Sequence, residues 1–311
     1  GIVDYDPAEL TFTARPGTTL AEIEAMLAAN GQGLPFDPPR LGEAATIGGA
    51  VAAGVTGPGG FGAGIRDFVI GVRFVDGTGR LAAAGGKVVK NAAGFDLPKL
   101  MVGSLGRLGV IVELSLKVFP RPEATATVRF PTVGLEAGLA AIAALARGPV
   151  PVAALDLDPD GAVTARIGGS AELSAARIAR LARGLVPPGE PLPDEAAHWD
   201  RARRFGWVEA GARLVVVPIA PREVIDLDTD LGRRGAGRRY GLGANVAWVA
   251  WPGEAPLEEL SALLAGRAKS GVVLTGAPLA EPLIGAATGG AFGRRMTGAL
   301  DPTGAFARGA R

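Results

Sequence analysis

The residues of this chain best suited to chemistry are glycines and small side chains, concentrated between Pro35 and Gly64 in the stretch PFDPPRLGEAATIGGAVAAGVTGPGGFGAG. Small residues let a backbone approach a ligand closely, and successive backbone N–H groups can surround phosphate oxygens. Thr46 adds a hydroxyl donor, and no charged side chain lies between positions 44 and 65 to repel an anion. The pattern predicts an anion-binding loop, with an ordinary buried glycine-rich loop as the alternative.

The spacing of these glycines does not predict a dinucleotide site of the Rossmann type. Gly57, Gly59 and Gly62 match G-x-G-x-x-G, but Pro58 and further glycines follow where that motif requires a helix. The sequence G-x-x-x-x-G-K-[ST] is missing as well, which excludes a P-loop.

A second segment punctuated by glycines runs from Lys87 to Val112 and contains KNAAGFDLPKLMVGSLGRLGVIV. Four of the five lysines lie between positions 87 and 117. They could face phosphate groups. The alternative is a solvated charged face.

Three further groups of side chains are candidates for function. His198 could act as a base that titrates near neutrality, and the alternative is that it packs on a helix. The four tryptophans favour a core or a subunit interface over a ligand cage; they are Trp199, Trp207, Trp248 and Trp251. A cluster of arginines could grip a carboxylate substrate or an acidic partner, with a solvated loop as the alternative. It comprises Arg233, Arg234, Arg238 and Arg239.

Hydrophobic periodicity predicts the elements that position these residues. Strands are predicted over 10–15, 68–76, from 80 onward, and over 108–119, 125–130, 152–157, 162–167, 213–219, 246–251 and 272–274. Helices are predicted over 20–30, 135–147, 171–183, 222–231 and 257–268, the first of them with a capping box at Thr19 and Glu22. Residues 34–66 are predicted to be irregular, and 187–193 to be a proline-rich linker.

The segment Pro120-Arg121-Pro122 predicts a domain boundary, because the pattern changes after it. Residues 1–121, with the glycine-rich tail 286–311 returning to them, are predicted to form one domain. Residues 122–285 are predicted to form a second domain. Its two rounds of strand–helix–strand favour one sheet with helices on one face.

Composition bounds the class of protein. The chain has 311 residues, of which 48% are hydrophobic and 20% charged, as in a folded globular protein. It contains no cysteine, which excludes thiolate metal sites, protein-bound iron–sulfur clusters and a disulfide scaffold. A single histidine excludes a His-rich metal site, and a formal net charge of +1 disfavours nucleic-acid binding.

The start of the chain, GIVDYDPAEL, lacks an initiating Met and the basic and apolar regions of a signal peptide. A processed chain or a fragment is therefore expected. The uncharged run 44–65 is long enough for a membrane span, but it holds eight glycines between Ile47 and Ile65 in addition to Pro58. Irregular backbone is not tolerated in contact with lipid, so no membrane span is predicted.

Four motifs, in order along the chain, resemble the FAD-binding fold of the vanillyl-alcohol-oxidase (PCMH) type. They are ATIGGAVAAG at 45–54, IRDFVIGVRFVDGTGR at 65–80, KNAAGFDLPKLMVGSLGRLGVI at 90–111 and LDPTGAF at 300–306. Within this family they are similar in particular to the FAD-binding subunits (E subunits) of glycolate oxidases, which the opening GIVDYDPAELTFTARPGTTLAEIEAML also resembles. The resemblance is strong over 1–121, weaker over 122–290, and returns at 300–306.

The resemblance implies an α+β fold, in which an N-terminally truncated PCMH-type FAD-binding domain precedes an α+β ferredoxin-like cap domain. It implies FAD as the cofactor, with contacts along the pyrophosphate, ribityl and flavin path. The implied contact residues are Ala45, Thr46, Gly48, Gly49, Ala53, Gly54, Gly57, Gly62, Ala63, Gly64 and Ile111. Arg66 and Asp67 match the family's Arg-Asp pair and are expected to form a structural ion pair.

Three features depart from the family pattern. The family fold opens with a further strand–loop–helix that supplies the other half of the pyrophosphate site, and this chain begins after it. The family's closing Asn-Pro-Gly is Ala307-Arg308-Gly309 here, which leaves a flavin-edge contact open. The His-rich metal and substrate motif of the sister catalytic subunit has no counterpart, and 45–65 holds no histidine for covalent flavin attachment.

The implied function is that of the FAD-binding subunit of a multi-subunit glycolate oxidase, an FAD-dependent oxidoreductase acting on CH–OH groups. In that class a 2-hydroxy acid gives hydride to the flavin, and electrons leave through an iron–sulfur subunit. The implied partners are that subunit and a homologous FAD-containing catalytic subunit. The implied location is the cytoplasm, with attachment to the inner membrane through the complex left open.

No catalytic residue is assigned from the sequence. Three alternatives to the implied function stay open. The chain could be a relay or assembly subunit without a substrate site, a stand-alone FAD-linked oxidase of another alcohol, or a flavin-free fragment.

Overall fold

The computed structural model of the protein describes residues 1–86, 96–170, 174–276, 282–287 and 289–306. The predictions for Lys87, Lys90 and the stretch 90–95, and for the closing residues 307–309, lie outside the described residues.

The chain divides into two compact units. Unit 1 comprises 1–56, 63–121 and 287–311, and unit 2 comprises 57–62 and 122–286. The roles of cofactor-binding domain and cap, assigned from the sequence to 1–121 with its tail and to 122–285, stay predictions.

Unit 1 is built on an antiparallel sheet. Its strands are β1 (Ile2–Asp6), β2 (Thr11–Ala14), β3 (Gln32–Gly33), β4 (Val69–Val75), β5 (Leu81–Gly85), β6 (Val110–Lys117) and β7 (Phe119–Pro120). The helices that precede residue 121 are α1 (Leu20–Ala28), α2 (Ile47–Ala53), α3 (Ile65–Phe68) and α4 (Leu97–Met101). Within the described residues, five strands form the sheet in the order β1-β2-β6-β4-β5, and β3 pairs with β7.

Alternation along the strands turns one face of this sheet toward the core. In β4, Val72 and Phe74 are buried while Arg73 between them is exposed. Leu114 and Leu116 of β6 continue the buried layer. The strands predicted over 10–15, 68–76 and 108–119 are confirmed as β2, β4 and β6.

The helix α1 forms where its sequence predicts. The N–H of Glu22 donates to Thr19 Oγ1 at 3.1 Å, which confirms Thr19 as the N-cap. Leu20, Ile23 and Leu27 are buried. A spacing of three and four residues puts these side chains on one face, so burial of that face stabilises the helix.

The prediction that residues 34–66 are irregular is wrong in part, because α2 forms inside the uncharged run. Thr46 caps its first turn, and Gly54 ends it in the left-handed conformation at φ 67°. Ile47 and Val51 are fully buried, one helical turn apart. Glycine lowers helix stability by ~1 kcal/mol relative to alanine, and the two caps with the buried face outweigh that cost.

Unit 2 is built on a larger antiparallel sheet. Its strands are β8 (Ala124–Phe130), β9 (Ala154–Leu157), β10 (Val163–Gly169), β11 (Glu190–Pro191), β12 (Arg213–Pro218), β13 (Gly237–Gly241), β14 (Val246–Trp251), β15 (Ser270–Val273) and β16 (Leu283–Gly285). Among the residues described, these nine strands follow the order β11-β8-β10-β9-β13-β14-β12-β15-β16. The helices are α5 (Leu135–Ala146), α6 (Ser174–Ala182), α7 (Glu195–Arg203), α8 (Val224–Gly232) and α9 (Leu257–Gly266), with 3₁₀ turns at Pro58–Phe61 and Pro221–Glu223.

Helices cover both faces of this sheet, which corrects the prediction of helices on one face. Leu155 and Leu157 of β9 belong to the large apolar core that α5, α6, α8 and α9 complete. Ala154 packs instead with Trp199 and Ala202 of α7. Because side chains alternate along a strand, α7 lies on the face opposite to the other four helices.

The sequence patterns miss four of the described elements of unit 2, namely β11, β13, β16 and α7. The strand β13 (GRRYG) carries two arginines and two glycines, so it lacks an apolar alternation. The helix α7 (EAAHWDRAR) is too polar to show a clear apolar stripe. The two-residue strand β11 lies inside the predicted linker 187–193 and is formed by pairing with β8.

The tail of the chain returns to the β4–β5 turn of unit 1. The helix α10 (Gly290–Leu300) ends where the N–H of Gly77 donates to the Leu300 carbonyl at 2.7 Å. The carboxylate of Asp301 accepts from the N–H of Ala305 at 2.7 Å and of Phe306 at 3.1 Å. A Cβ added at Gly77 would lie 2.2 Å from Asp301 Oδ1, so only glycine fits beneath this carboxylate.

We expect Gly77→Ala to loosen the tail, because its methyl group would overlap Asp301. Limited proteolysis followed by mass spectrometry should show faster cleavage within 290–306 than in the wild type. Gly298→Ala adds the same methyl group where no atom lies within 4 Å, and it should leave the cleavage rate unchanged or lower. Equal rates for Gly77→Ala and the wild type would contradict the expectation.

Candidate functional site

The first turn of α2 is the centre of the predicted site in unit 1. Thr46 precedes the helix in an extended conformation, and its Oγ1 accepts from the N–H of Gly49 at 3.1 Å. The N–H of Gly48 donates to the Pro16 carbonyl at 2.9 Å. Both glycine N–H groups are therefore engaged within the chain, while the hydroxyl proton of Thr46 can still be donated to a ligand.

The N–H groups of Gly48 and Gly49 are therefore not free to bind an anion in this arrangement. Gly48 serves close packing instead, since a Cβ added there would lie 2.4 Å from Pro16 Cβ and 2.8 Å from Pro16 Cα. As residues near a cofactor, Gly48 and Gly49 stay predictions. What these two glycines contribute to the first turn of α2 is the absence of a side chain.

The C-terminal end of α2 meets the second glycine segment. The N–H of Gly103 donates to the Val51 carbonyl at 2.9 Å. A Cβ added at Gly54 would lie 2.9 Å from Gly103 Cα, so the two backbones are in direct contact. The predicted residues Ala53 and Gly54 thus lie at the junction of the two glycine-rich segments.

Ser104, next to this junction, carries a buried hydroxyl without a partner. The residue is 4% exposed, and its Oγ has no hydrogen-bond partner in the described part of the chain. Buried hydroxyls are normally hydrogen-bonded, so this one is available to a bound ligand. The sequence analysis does not single out Ser104; the signal that could have found it is its place between Gly103 and Gly106.

The predicted contacts within 57–64 are divided between the units. Ala63 and Gly64 belong to unit 1, whereas Gly57 and Gly62 belong to unit 2 and flank the Pro58–Phe61 turn. The carbonyl of Ala45 accepts a hydrogen bond from the N–H of Leu20 at 2.8 Å. Ile111 lies on β6 opposite Phe74 of β4 and is half-buried.

Asp67 caps a helix and does not form the expected ion pair. Its Oδ2 accepts from the N–H of Gly64 at 2.9 Å. No ion pair joins Asp67 to Arg66 in the part of the chain that the structure describes. The Arg66 carbonyl accepts from Lys99 Nζ, and burial lowers the pKa of Lys99 below its ordinary value. This lysine is thus used within the fold.

In unit 2, His198 lies on α7 and packs edge-on against Trp199, with ring centroids 4.9 Å apart. Packing on a helix is therefore confirmed for this residue. Its Nε2 is buried and lies 3.7 Å from Asp158 Oδ2. Burial lowers the pKa of His198 and the carboxylate of Asp158 opposes that shift. The sequence pattern contains no sign of this carboxylate partner.

The strand β13 divides the predicted arginine cluster. Arg238 donates from Nε and Nη2 to the two oxygens of Asp228 at 2.6 and 2.8 Å. Arg239, on the opposite side of the strand, is 5% exposed and forms ion pairs with Asp156 and Asp158. Ion pairs within the chain hold both guanidinium groups, so the solvated-loop alternative is wrong for them.

Metal ligands do not converge in the described residues: no three His, Cys, Asp or Glu side chains approach one point closely enough to hold a metal ion. Over the same residues, no helix combines the length and the apolar character that crossing a membrane requires.

Comparison with known sequences shows what the N-terminal region is similar to. The family model described as FAD binding domain matches residues 1–85. The chain is 48% identical over 179 residues to glycolate oxidase subunit GlcE of Escherichia coli, a match covering 57% of this chain and 51% of that protein. It is 36% identical over 128 residues to glycolate oxidase subunit GlcD of Bacillus subtilis, covering 41% of this chain and 27% of that protein. The chain therefore matches about half, or less, of the length of these relatives.

Solved structures show the fold. An alkyldihydroxyacetonephosphate synthase is similar with a TM-score of 0.67 at 15% sequence identity, covering 100% of this chain and 67% of that chain. A substrate-bound p-cresol methylhydroxylase is similar with a TM-score of 0.66 at 12% sequence identity. The match covers 83% of this chain and 65% of that chain. With the family match, these findings confirm the α+β, PCMH-type fold class, FAD as the cofactor of the domain family, and the resemblance to glycolate oxidase subunits.

The described residues fit FAD at three places. The hydroxyl of Thr46 and the unpartnered hydroxyl of Ser104 can donate to cofactor oxygens. Gly54 and Gly103 are in contact, so the backbone next to these hydroxyls carries no side chains at either glycine. No carboxylate within 44–65 opposes a pyrophosphate. Further N–H donors must lie outside the first turn of α2, because those of Gly48 and Gly49 are engaged.

We expect Gly48→Ala to lower the stability of unit 1 by ~1–3 kcal/mol, because overpacking a closed contact costs about that much. The measurement is the midpoint of urea unfolding. The control is Gly17→Ala, at the residue that follows Pro16 in the chain. Its methyl group would have no atom within 4 Å, so the urea midpoint should be unchanged. Equal midpoints for the two variants would show that the Gly48 contact is not tight.

We expect Thr46→Ala to weaken FAD binding and Thr46→Ser to preserve it. The alanine removes both the cap, whose loss costs ~1 kcal/mol, and the free hydroxyl proton, whereas the serine keeps both. A titration of FAD followed by flavin fluorescence measures the affinity. If the alanine variant binds as tightly as the serine variant, Thr46 is not a cofactor contact.

Proposed function

Because residues 1–85 match the FAD binding domain family, we propose that this chain is the FAD-binding subunit of a glycolate-oxidase-type complex, an FAD-dependent oxidoreductase acting on CH–OH groups. The observation that carries the proposal is the 48% identity over 179 residues to a glycolate oxidase subunit. Similarity to a second glycolate oxidase subunit, and to a D-lactate dehydrogenase of Archaeoglobus fulgidus at 33% identity over 138 residues, supports a small 2-hydroxy acid as the substrate class.

When bound, FAD supplies the acceptor for the hydride of the 2-hydroxy acid. The residues of this chain bind and orient the cofactor. Thr46 closes the first turn of α2, and its hydroxyl would donate to the pyrophosphate. Gly54 and Gly103 pack against each other without side chains, and the unpartnered hydroxyl of Ser104 would donate to the cofactor. The uncharged run keeps competing carboxylates out of this region.

The proposed complex needs a partner to carry electrons onward. The chain has no cysteine, so it cannot ligate an iron–sulfur cluster through thiolates. We therefore place that cluster in an iron–sulfur subunit, beside a homologous FAD-containing catalytic subunit. The complex is proposed to lie in the cytoplasm and to reach the inner membrane through its partners.

A relay or assembly role within the same complex is the second candidate. It is favoured by the single histidine of the sequence, which packs on α7 against Trp199 and Asp158. A chain without a further imidazole base has fewer means of taking the proton of a substrate hydroxyl. In this role the chain binds FAD but does not reduce it alone.

The test compares the isolated chain with the chain co-expressed with its partner subunits. Both are mixed with FAD, freed of unbound cofactor and examined for flavin absorbance, then treated anaerobically with glycolate or D-lactate. We expect both to retain flavin and the complex to lose its oxidised-flavin absorbance on addition of glycolate. Reduction in the isolated chain would assign it a substrate site, and reduction only in the complex would favour the relay role. Failure of both preparations to retain flavin would overturn the proposal.

A further inference from the structure

The helix α10 of unit 1 takes no part in the cofactor contacts proposed above. It spans Gly290–Leu300 with the sequence GAFGRRMTGAL, and none of these residues is buried. Its C-terminal end is held at the β4–β5 turn, where the N–H of Gly77 donates to the Leu300 carbonyl at 2.7 Å. The partly buried side chain of Leu300 packs against the apolar core of unit 1. The helix is thus fixed at its end and adds no buried residue to that core.

The sequence of α10 gives the helix little stability of its own. Gly290, Gly293 and Gly298 lie within its 11 residues, and glycine disfavours a helix interior. No side chain caps its N-terminus. Isolated helices shorter than ~12–15 residues are marginal in water, and helices in proteins gain most of their stability by burying one face. A helix without a buried residue lacks that gain, so a further surface is needed to cover it.

The outward side of α10 presents a large apolar side chain to solvent. Phe292 is 57% exposed. The helical repeat places the exposed Ala299 on the same side two turns farther on, and Arg295 beside Phe292 one turn farther on. The side chains of Met296 and Leu300, one turn apart, are partly buried and form the inward side. Phe292 is therefore turned away from the part of the helix that the chain itself covers.

The charge of this helix is positive and is not compensated. Arg294 and Arg295 are exposed, and neither pairs with a carboxylate in the described part of the chain. The sequence 282–300 contains no Asp or Glu. Guanidinium groups without a carboxylate nearby complement an acidic surface. We call the exposed residues of this side the α10 surface; they are Phe292, Arg294, Arg295 and Ala299.

Charge and shape favour a different protein as the occupant of the α10 surface. Two copies that associate through one patch place equal surfaces against each other, so arginines would meet arginines without a carboxylate from 282–300. Helices that bind a lipid surface bury a broad apolar face, whereas Met296 and Leu300 lie on the inward side of α10. One aromatic side chain beside arginines and small residues is typical of a protein interface.

We propose that the α10 surface is the docking site of a partner subunit, which receives Phe292 in an apolar pocket and places carboxylates against Arg294 and Arg295. The mode is that of a helix in a groove. Docking covers the exposed side of α10 and supplies the packing that the helix lacks. This inference rests on the proposed function, because that function supplies the complex to which the partner subunit belongs.

Amide hydrogen exchange tests whether α10 is covered in the complex. The isolated chain is compared with the complex obtained by co-expression with the partner subunits. We expect peptides covering 290–300 to exchange at least ~10-fold more slowly in the complex, because docking buries a helix that exchanges readily when exposed. Peptides covering 135–146 are the control, since α5 already has a buried face, and their exchange should be equal in both. Equal exchange of 290–300 in both preparations would overturn the proposal.

Phe292→Ser removes the aromatic side chain from the α10 surface. We expect the Kd between the immobilised chain and the purified partner subunits to rise roughly 10-fold or more, as is usual for an aromatic residue at the centre of an interface. Val133→Ser is the matched control, because Val133 is an apolar side chain of unit 2 that is 97% exposed. It should leave the Kd unchanged. A Kd for Phe292→Ser equal to that of the wild type would contradict the proposal.

Arg295→Glu tests the charge of the partner. The Kd of the wild type should rise with the concentration of NaCl, because salt screens the attraction between arginines and carboxylates. Arg295→Glu should bind more weakly at low salt, and its Kd should depend less on salt. Arg147→Glu reverses the charge of an exposed arginine in unit 2 and should keep the Kd and the salt dependence of the wild type. A salt dependence that Arg295→Glu does not change would exclude an acidic partner surface.

Two measurements on the isolated chain test the other occupants. Gel filtration reports a second copy, and cosedimentation with vesicles of phosphatidylglycerol and phosphatidylcholine reports a lipid surface. We expect a monomer that does not bind the vesicles. A dimer that Phe292→Ser dissociates, or vesicle binding that Phe292→Ser abolishes, would assign the α10 surface to that occupant and overturn the proposal.

Retention of FAD separates failure of the docking from failure of the proposed function. Phe292 lies outside the cofactor contacts, so the isolated Phe292→Ser chain should retain FAD as the wild type does. A wild-type chain that co-purifies with no partner subunit would overturn the proposed complex, and the docking with it. A complex that forms equally well with Phe292→Ser would overturn the docking and leave the proposed function standing.

Discussion

Contact between backbones with no Cβ between them is the constraint on which unit 1 depends. Gly48 brings α2 against Pro16, and Gly54 brings the other end of the same helix against Gly103. A methyl group at either position would separate segments that are otherwise in van der Waals contact. The place of α2 decides where the hydroxyl of Thr46 lies, and the Gly54–Gly103 contact decides where the Ser104 segment lies. The glycines of this region are therefore needed for packing even before a ligand is considered.

The same constraint changes how the region can meet an anion. The residue pattern suggests a cradle of free N–H groups, yet the N–H groups of Gly48 and Gly49 already have partners in Pro16 and Thr46. In the first turn of α2, the donor that remains is the hydroxyl of Thr46, and Ser104 carries a second hydroxyl without a partner. These two hydroxyls lie at the two ends of one short helix, which is compatible with a long cofactor whose polar atoms are spread along its length.

In unit 2 the alternation along β9 separates two environments. Leu155 and Leu157 enter the apolar core, while Asp156 and Asp158 turn to the face that α7 covers. Two buried carboxylates so close together are tolerated because the neighbouring strand β13 supplies Arg239 between them. Burial without that guanidinium would cost several kcal/mol per carboxylate, on the order expected for an uncompensated buried ion.

Local patterns predict much of this fold from the sequence. The strands β2, β4 and β6 and the helix α1 carry periodic apolar residues, and their bounds agree with prediction to within two residues. The helix α2 could not be predicted because its stability comes from caps and from burial against Pro16, which outweigh the poor propensity of glycine. The strand β13 could not be predicted because its arginines find partners on other elements, Asp228 on α8 and Asp156 on β9.

The sequence by itself determined the class of protein and the similarity of its first 85 residues to the FAD binding domain family. Composition and ordered motifs are local properties, so they can be seen without coordinates. It also determined that no thiolate cluster is held here, since there is no cysteine. Only the tertiary structure decided which N–H groups are already engaged, which hydroxyl is left without a partner, and that His198, Asp158 and Arg239 meet. These depend on contacts between segments far apart in the chain, which no spacing along the sequence records.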